Sequence, residues 1–319
     1  MFKVGIIGCG LIGSKRAKSL RENSKLIACA DIDNEKAKSF AKEHKVLKVF
    51  KSAEELVKEK DIDIVIISTL HDSLAYLTTL AILECKHVLV EKPAARSSSE
   101  LLKVIDIAKN AKTKVHVGFN HRYHRAFQKA KSIIKNKLLG ELMFIRARYG
   151  HGARLGYEKE WRADPKLSGG GELIDQGPHL IDLSQWLFEQ NLNHIHSTTH
   201  TYFWEMPVED NAFLLLETKK SQTAFLHLSC TEWKNTFSFE IYGKKGKIDI
   251  SGLGGSYGVE KLSHFNMLPE MGPPDTTIYE FPMADNSWSM EMDDFLIDIN
   301  EDRETNCGLK EAYNVLTII

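Results

Sequence analysis

The 319-residue chain is short of most features that mark a specialised protein class. No apolar run reaches about 18 residues, which excludes a membrane-spanning helix. There is no excess of either charge: 42 Lys+Arg against 43 Asp+Glu leave a net charge of −1. That balance argues against nucleic-acid or membrane-surface partners. Cysteine is sparse and scattered (Cys9, Cys29, Cys85, Cys230, Cys307), odd in number and without a CxxC pair. A disulfide framework and a zinc site are therefore not expected, and a reducing compartment is the simplest setting. His194, His196 and His200 alternate along one stretch, but no partner cysteine or HxxxH supports a metal, so none is expected. The N-terminus enters an apolar run without a basic segment or cleavage site, so a cytoplasmic location is the expectation. Neither an internal repeat nor a low-complexity linker is present.

What is present is an ordinary globular composition, 43% hydrophobic and 27% charged, over a length that favours two abutting domains. The first thirteen residues organise the rest. The apolar run Phe2 to Ile7 leads straight into Gly8-Cys9-Gly10-Leu11-Ile12-Gly13 and then a helical stretch, Ser14 to Arg21. Gly8 allows the tight turn, Gly10 lets backbone approach a pyrophosphate, and Gly13 lets the helix pack on its strand, so free N–H groups of the helix start face phosphate. A second strand, Lys25 to Ala30, ends in Asp31, eighteen positions after Gly13 and close to the offset of about 20 for a ribose-binding acid. A carboxylate there accepts from a ribose 2′-OH and repels a 2′-phosphate. No arginine follows in Ile32-Asp33-Asn34, so NAD is favoured over NADP.

Beyond Asp31, helices are expected at Asn34 to His44, Ser52 to Glu59, Ser73 to Glu84 and Ser97 to Lys112. They alternate with strands at Ile62 to Ile67, His87 to Val90 and Val115 to Gly118. Such alternation implies a doubly wound parallel sheet, whose ligands lie at strand carboxyl ends. The fingerprint with Leu11 and Ile12, Asp31 with Ile32, Thr69 to His71, Glu91-Lys92-Pro93 and Asn120 all fall at such ends. After residue 120 the pattern changes. A helix at Ala126 to Lys137, a strand at Glu141 to Tyr149, a Gly- and Arg-rich loop from His151 to Gly171 and a helix at Glu172 to Phe188 come first. An antiparallel meander follows: Ile195 to Trp204, Ala212 to Leu216, Thr223 to Ser229, Phe237 to Tyr242 and Lys247 to Ile250. Ser251 to Asp275 reads as a long loop, and Trp288 to Asn300 and Leu309 to Ile319 as helices. The expected division is a Rossmann domain at 1–120 and a substrate-binding and oligomerisation domain at 121–319, whose last helices can pack back on the first. The fold class is α/β with a mostly antiparallel open sheet in the second domain.

Three groups of side chains could carry chemistry. Lys92, at a strand end, could stabilise an alkoxide as hydride leaves, although most lysines after strands are simply solvated. Asp175 and His179 lie four apart, on one helical face. Pro178 belongs in a first turn, which places the helix start near Asp175, and a histidine there could act as a general base. Alone, that histidine would read as structural. Arg146, Arg148, Arg154 and Arg162, interleaved with Tyr149, Tyr157 and Trp161, could grip an anion or stack on a sugar, or equally lie on a solvated loop. His121 and His124, flanking Arg122 and Tyr123, could line the same cleft.

Taken together, GCGLIG, Glu91-Lys92-Pro93, Gly118-Phe119-Asn120 with Arg122, and GGGELIDQGPHLIDL resemble the glucose–fructose oxidoreductase / inositol dehydrogenase / rhizopine catabolism (Gfo/Idh/MocA) family over nearly the whole chain. The resemblance implies NAD(P)-dependent oxidation or reduction of a sugar, cyclitol or related carbonyl. It implies a homodimer or homotetramer, and matches Lys92 to the catalytic lysine, Asp175 to the substrate-orienting acid and His179 to the proton-transferring residue. Glu91 and Asn120 match cleft-lining positions. The chain stops within the family's last helix, which leaves a short tail unaccounted for. The substrate expected is a sugar or polyol, free or linked to phosphate or nucleotide, with the arginine-rich loop tilting toward an anion. The competing reading is a non-catalytic NAD-binding regulator of the same fold, which would have no need of Lys92 and His179 together. Reduction of an imine or unsaturated bond is a third.

Overall fold

All 319 residues are described by the computed structural model. They divide into two units, Met1–Phe119 with Trp288–Thr317, and Asn120–Ser287 with Ile318–Ile319.

The first unit is a parallel sheet built from near-continuous apolar runs. Strands β1 (Phe2–Ile7), β2 (Ser24–Ala30), β3 (Lys48–Phe50), β4 (Ile64–Ile67), β5 (His87–Glu91) and β6 (Val115–Gly118) lie in the order β3-β2-β1-β4-β5-β6. Between them run α1 (Leu11–Ser19), α2 (Asn34–His44), α3 (Ala53–Val57), α4 (His71–Leu83) and α5 (Ser98–Ala108). The central strands are buried on both faces, which is why they read as unbroken Val/Ile runs rather than alternating ones. Side-chain caps start α2, α3 and α5: Asp33, Ser52 and Ser97 each accept a backbone N–H of the first turn.

In the second unit, α6 (Arg125–Lys135), β7 (Leu142–Gly150), α7 (Pro165–Ser168) and α8 (Glu172–Phe188) precede β8 (Leu192–His200), β9 (Asn211–Thr218), β10 (Thr223–Ser229), β11 (Thr236–Gly243), β12 (Gly246–Ser251), β13 (Glu260–Asn266) and β14 (Asp275–Phe281). The eight strands lie in the order β14-β13-β12-β11-β7-β10-β9-β8. Only the β7–β10 pair is parallel. Period-2 alternation leaves one face buried, with Ile145, Leu214, Leu226, Phe239, Ile241 and Ile250 pointing into it beneath α6 and α8. The chain then returns to the first unit. Helix α9 (Ser287–Asn300) lays Met292, Phe295 and Leu296 on Val4, Ile6, Ile64 and Leu89, and α10 (Leu309–Leu316) packs on α5 and β6.

Three expectations need correction. Ser251–Asp275 is not all loop, because it holds β13 and the first residue of β14. Strand β14 is largely exposed and polar, so it carries no hydrophobic alternation; its cross-strand pairing with β13 defines it. Short β3 was not anticipated either, and pairs only three residues with β2. Finally, α8 begins at Glu172 and carries Pro178 in its interior, not its first turn. The ring removes one N–H from the helical ladder, and burial of both flanks of α8 outweighs that loss. The arginine-rich loop contains short 3-10 turns at Tyr157–Lys159 and Trp161–Ala163. No helix is long and apolar enough to cross a membrane.

Candidate active site

In the first unit, the glycine fingerprint is held by sterics. Gly8 has φ +94, and a Cβ on it would lie 2.4 Å from the Ser68 carbonyl oxygen. A Cβ on Gly13 would lie 2.0 Å from the Gly8 carbonyl oxygen, so α1 can approach β1 only through glycine. Gly10, the residue that caps α1, has nothing within 4 Å of its Cβ position. That open space at a helix N-terminus fits a pyrophosphate. Ser68 Oγ donates to the Gly8 carbonyl at 2.9 Å and ties the turn to the end of β4. The Asp31 carboxylate is anchored by two backbone donors, Cys9 N–H at 2.7 Å and Asp33 N–H at 2.9 Å. A carboxylate fixed at the end of β2 fits the ribose of NAD. Leu11 and Ile32 are exposed beside it, Ile12 is half-buried, and His71 is buried at the start of α4. Thr69 accepts a hydrogen bond from Ser73.

Strand β5 delivers Glu91 and Lys92, and the Lys92–Pro93 peptide is cis. Glu91 carries an ion pair. The fully buried Arg16, one turn into α1, donates from Nε to Glu91 Oε1 at 2.6 Å and from Nη1 to Glu291 Oε2 of α9 at 2.5 Å. Burial pulls the guanidinium pKa down, but the facing Glu291 and Glu91 carboxylates more than offset it. Two buried carboxylates share one guanidinium, and they part company. Burial drives the Glu91 carboxyl up despite Arg16, whereas Arg16 and His116 overcome burial and hold Glu291 down. Neither Arg16 nor Glu291 stood out in the sequence.

In the second unit, α8 presents Asp175 and His179 one turn apart, both buried. Its start is set from outside: Glu209 Oε1 accepts the Gly171 and Leu173 N–H groups at 3.0 Å each, and a Cβ on Gly171 would lie 2.0 Å from the Glu209 carbonyl oxygen. Arg162 Nε donates to Asp175 Oδ2 at 3.0 Å, with the Arg162 guanidinium 4.5 Å from the centre of the Trp161 ring. The His179 ring stacks on His121 at 3.6 Å between centroids and 16° between planes. His121 in turn contacts Tyr149 Oη through Nε2 at 3.3 Å and Asn120 Oδ1 through Nδ1 at 3.2 Å, and Asn120 Nδ2 donates to Ser287 at 3.0 Å. Burial, with Tyr257 adding to it, pushes the Tyr149 phenol pKa well up, so it stays protonated. The structure thus brings Asn120, Tyr149, Asp175 and His179 into one neighbourhood through His121 and α8. His121 was anticipated only as a cleft neighbour, and Tyr257 carried no signal.

The arginines do not form a basic patch. Arg122 is buried and bidentate on Asp182, at 2.7 and 2.5 Å. Arg146 and Arg148 lie on β7, on the open face of the sheet, where the first binds Glu240 and the second stands 3.7 Å from Glu232. Arg154, exposed, donates to Glu160 at 2.7 Å. With Arg162 on Asp175, each has an acidic partner.

Comparison with known proteins follows the same division. The family profile described as "Oxidoreductase family, NAD-binding Rossmann fold" matches residues 2–119, and that of the GFO/IDH/MocA C-terminal domain matches residues 127–249. Trans-1,2-dihydrobenzene-1,2-diol dehydrogenase of Xenopus tropicalis is 27% identical over 228 residues, 70% of this chain and 68% of that protein. Glucose-6-phosphate 3-dehydrogenase of Bacillus subtilis (strain 168) is 34% identical over 195 residues, 60% of this chain and 55% of that one. Among solved structures, levoglucosan dehydrogenase in complex with NADH and L-sorbose superposes with a TM-score of 0.88 at 19% identity, covering 100% of this chain and 94% of that one.

Proposed function

Because the chain belongs to the Gfo/Idh/MocA family of NAD-binding oxidoreductases, we propose that it oxidises a secondary hydroxyl of an uncharged sugar or cyclitol, with Lys92 and His179 at the reacting oxygen. The observation that carries this reading is the buried Asp175–His179 pair on α8, with Asp175 tethered by Arg162 and His179 backed by the His121 ring. His179 takes the hydroxyl proton, a step worth about 10²–10⁴-fold for a well-placed base. The Lys92 ammonium stabilises the negative charge that develops on that oxygen. Asp175 orients a neighbouring hydroxyl and His179. NAD, when bound along Gly8 to Gly13 and Asp31, supplies the hydride acceptor. The same groups serve the reverse direction. Committed acids on every arginine of the 146–162 stretch support a neutral substrate over a phosphate- or nucleotide-linked one.

We also read the protein as a homo-oligomer. Leu215, Phe225, Arg146, Glu240 and Asp249 are register partners across five strands and form one row on the open face, two apolar and three charged. Exposed Phe225 and Leu215 there suit a second copy.

The test is nicotinamide reduction with NAD, then NADP, against myo-inositol, glucose, levoglucosan, glucose 6-phosphate and UDP-glucose, with Lys92→Ala and His179→Ala alongside. Turnover of a neutral member with NAD, lost by about 10²-fold or more in either variant, supports the reading. Tight NADH binding without turnover in either direction would move the protein to the regulator class.

A further inference from the structure

We infer that Arg16 is a positioning residue for Lys92, and that Glu291 is its second anchor, so that helix α9 sets the geometry of the lysine that the proposed function places at the reacting oxygen. The inference rests on that functional reading of Lys92. It starts from an expensive arrangement. Arg16 has no exposed side-chain surface, nor does Glu291, and Glu91 has 11%. Buried ion pairs of this kind are often no more stabilising than apolar residues of the same volume. Stability alone therefore gives little reason for a charged triad here, and its location supplies one.

The guanidinium is a rigid planar fork with fixed donor directions. One arm holds Glu91, the residue bonded to Lys92 in the chain, and another holds α9. The Trp288 ring lies 4.5 Å from the Arg16 guanidinium carbon, and His116 Nε2 is 3.5 Å from Glu291 Oε1. Gly118 of β6 leaves the room the fork needs: a Cβ on it would lie 2.6 Å from Arg16 Nη2 and 3.0 Å from Glu91 Oε2. Four segments distant in sequence thus meet on one side chain: α1, which carries the cofactor fingerprint, the end of β5, β6 and the returning helix α9. The carboxyl end of β5 cannot shift without stretching a 2.6 Å charge-assisted bond. A displacement of about 1 Å at a reacting group can cost about 10²-fold in rate, so a fixed β5 end is worth an ion pair.

The experiment compares Arg16→Met, Arg16→Lys, Glu291→Gln and Lys92→Ala. It reads kcat per folded enzyme on whichever sugar of the panel above turns over, NADH affinity by fluorescence, thermal melting, and amide hydrogen exchange of residues 87–96. Arg16→Met is expected to lower kcat by about 10²-fold, with NADH affinity within about threefold of the parent. Arg16→Lys, which can hold one carboxylate but not fork across two, is expected to recover about tenfold of that loss. Arg16→Met that folds and keeps kcat within about twofold overturns the inference while leaving the functional reading intact, provided Lys92→Ala is dead. Full turnover by Lys92→Ala removes the functional reading and this inference with it. Where Arg16→Met does not fold, Glu291→Gln decides: a drop in kcat of about threefold or more supports the coupling and an unchanged kcat refutes it. Exchange needs no substrate. In Arg16→Lys, residues 87–96 are expected to exchange about tenfold faster while α4 is unchanged, and equal rates in the two proteins overturn the inference.

Discussion

Two arginine–glutamate networks with nearly the same chemistry sit in opposite environments. In the first unit, Arg16 joins Glu91 and Glu291 with no solvent on the guanidinium. In the second, Arg146 binds Glu240, which also accepts from Lys247 at 2.8 Å, and the Arg146 side chain is 57% exposed. The buried network pulls its two carboxyls apart: burial and the nearby Glu291 charge drive Glu91 up, whereas Arg16 and His116 together overcome burial and hold Glu291 down. The open network resolves the conflict in favour of charge: Glu240, itself only 12% exposed, is lowered to about 2 through Arg146 first and Lys247 after it, against an opposing burial. Identical residue types thus do different jobs. Where water is absent, the pair fixes geometry at a cost; where water is present, it is worth little but stays charged over most of the pH range.

The largest way to break the comparison is to truncate each arginine. Arg16→Met leaves two buried acids without the guanidinium between them and is expected to destabilise the first unit by about 3–5 kcal/mol. Arg146→Met is expected to change stability by no more than about 1 kcal/mol. Urea unfolding of the two variants, followed by circular dichroism, measures both, and similar midpoints would erase the distinction. A sharper control uses the second unit's own buried pair, Arg122 with Asp182, whose side chains are 7% and 2% exposed. If burial rather than location decides, Asp182→Ala should cost about as much as Arg16→Met, again about 3–5 kcal/mol by the same unfolding experiment. Next in size is Gly118→Ala. The added methyl meets Arg16 Nη2 at 2.6 Å, so an overpacking cost of about 1–3 kcal/mol is expected in the melting curve, although no charge has been removed. A neutral Gly118→Ala would mean that the fork has slack.

What the sequence disclosed follows the same line. GCGLIG, Asp31 and the buried strands were legible because the reasons for those residues are local: a turn needs glycine, and a strand buried on both faces needs an apolar run. Lys92 could be picked out by its place between Glu91 and Pro93 at a strand end, and Asp175 with His179 by their four-residue spacing. Arg16 could not, because an arginine on the first helix after a fingerprint reads as solvated until Glu91 and Glu291, distant in sequence, are folded against it. The arginines of 146–162 were ambiguous for the same reason: a basic grip and a solvated loop read alike until Glu240, Glu232, Glu160 and Asp175 are folded against them. Pro178 misled because helix burial overrode a local rule, and β14 was hidden because an exposed sheet edge has no alternation to read.

The smallest effect is the most discriminating about the open face. Glu240 has an ordinary carboxyl pKa of 4.5 in the unfolded chain and about 2 in the folded one. A folded pKa depressed in this way means that the unfolded state binds the extra proton more readily as pH falls. The stability contributed by Glu240 is therefore complete above about pH 4.5 and fades as pH drops toward 2. Melting temperatures of the parent and Glu240→Gln, measured from pH 7 down to 2, should differ most at neutral pH and converge at the acid end. Added salt should shrink the gap at pH 7, since Arg146 is solvated and screening reaches it. A gap that is flat in pH would show that Glu240 acts through packing rather than charge. A gap that depends on pH but resists salt would mean that Arg146 and Glu240 are covered in solution, as the second copy proposed for this face would cover them.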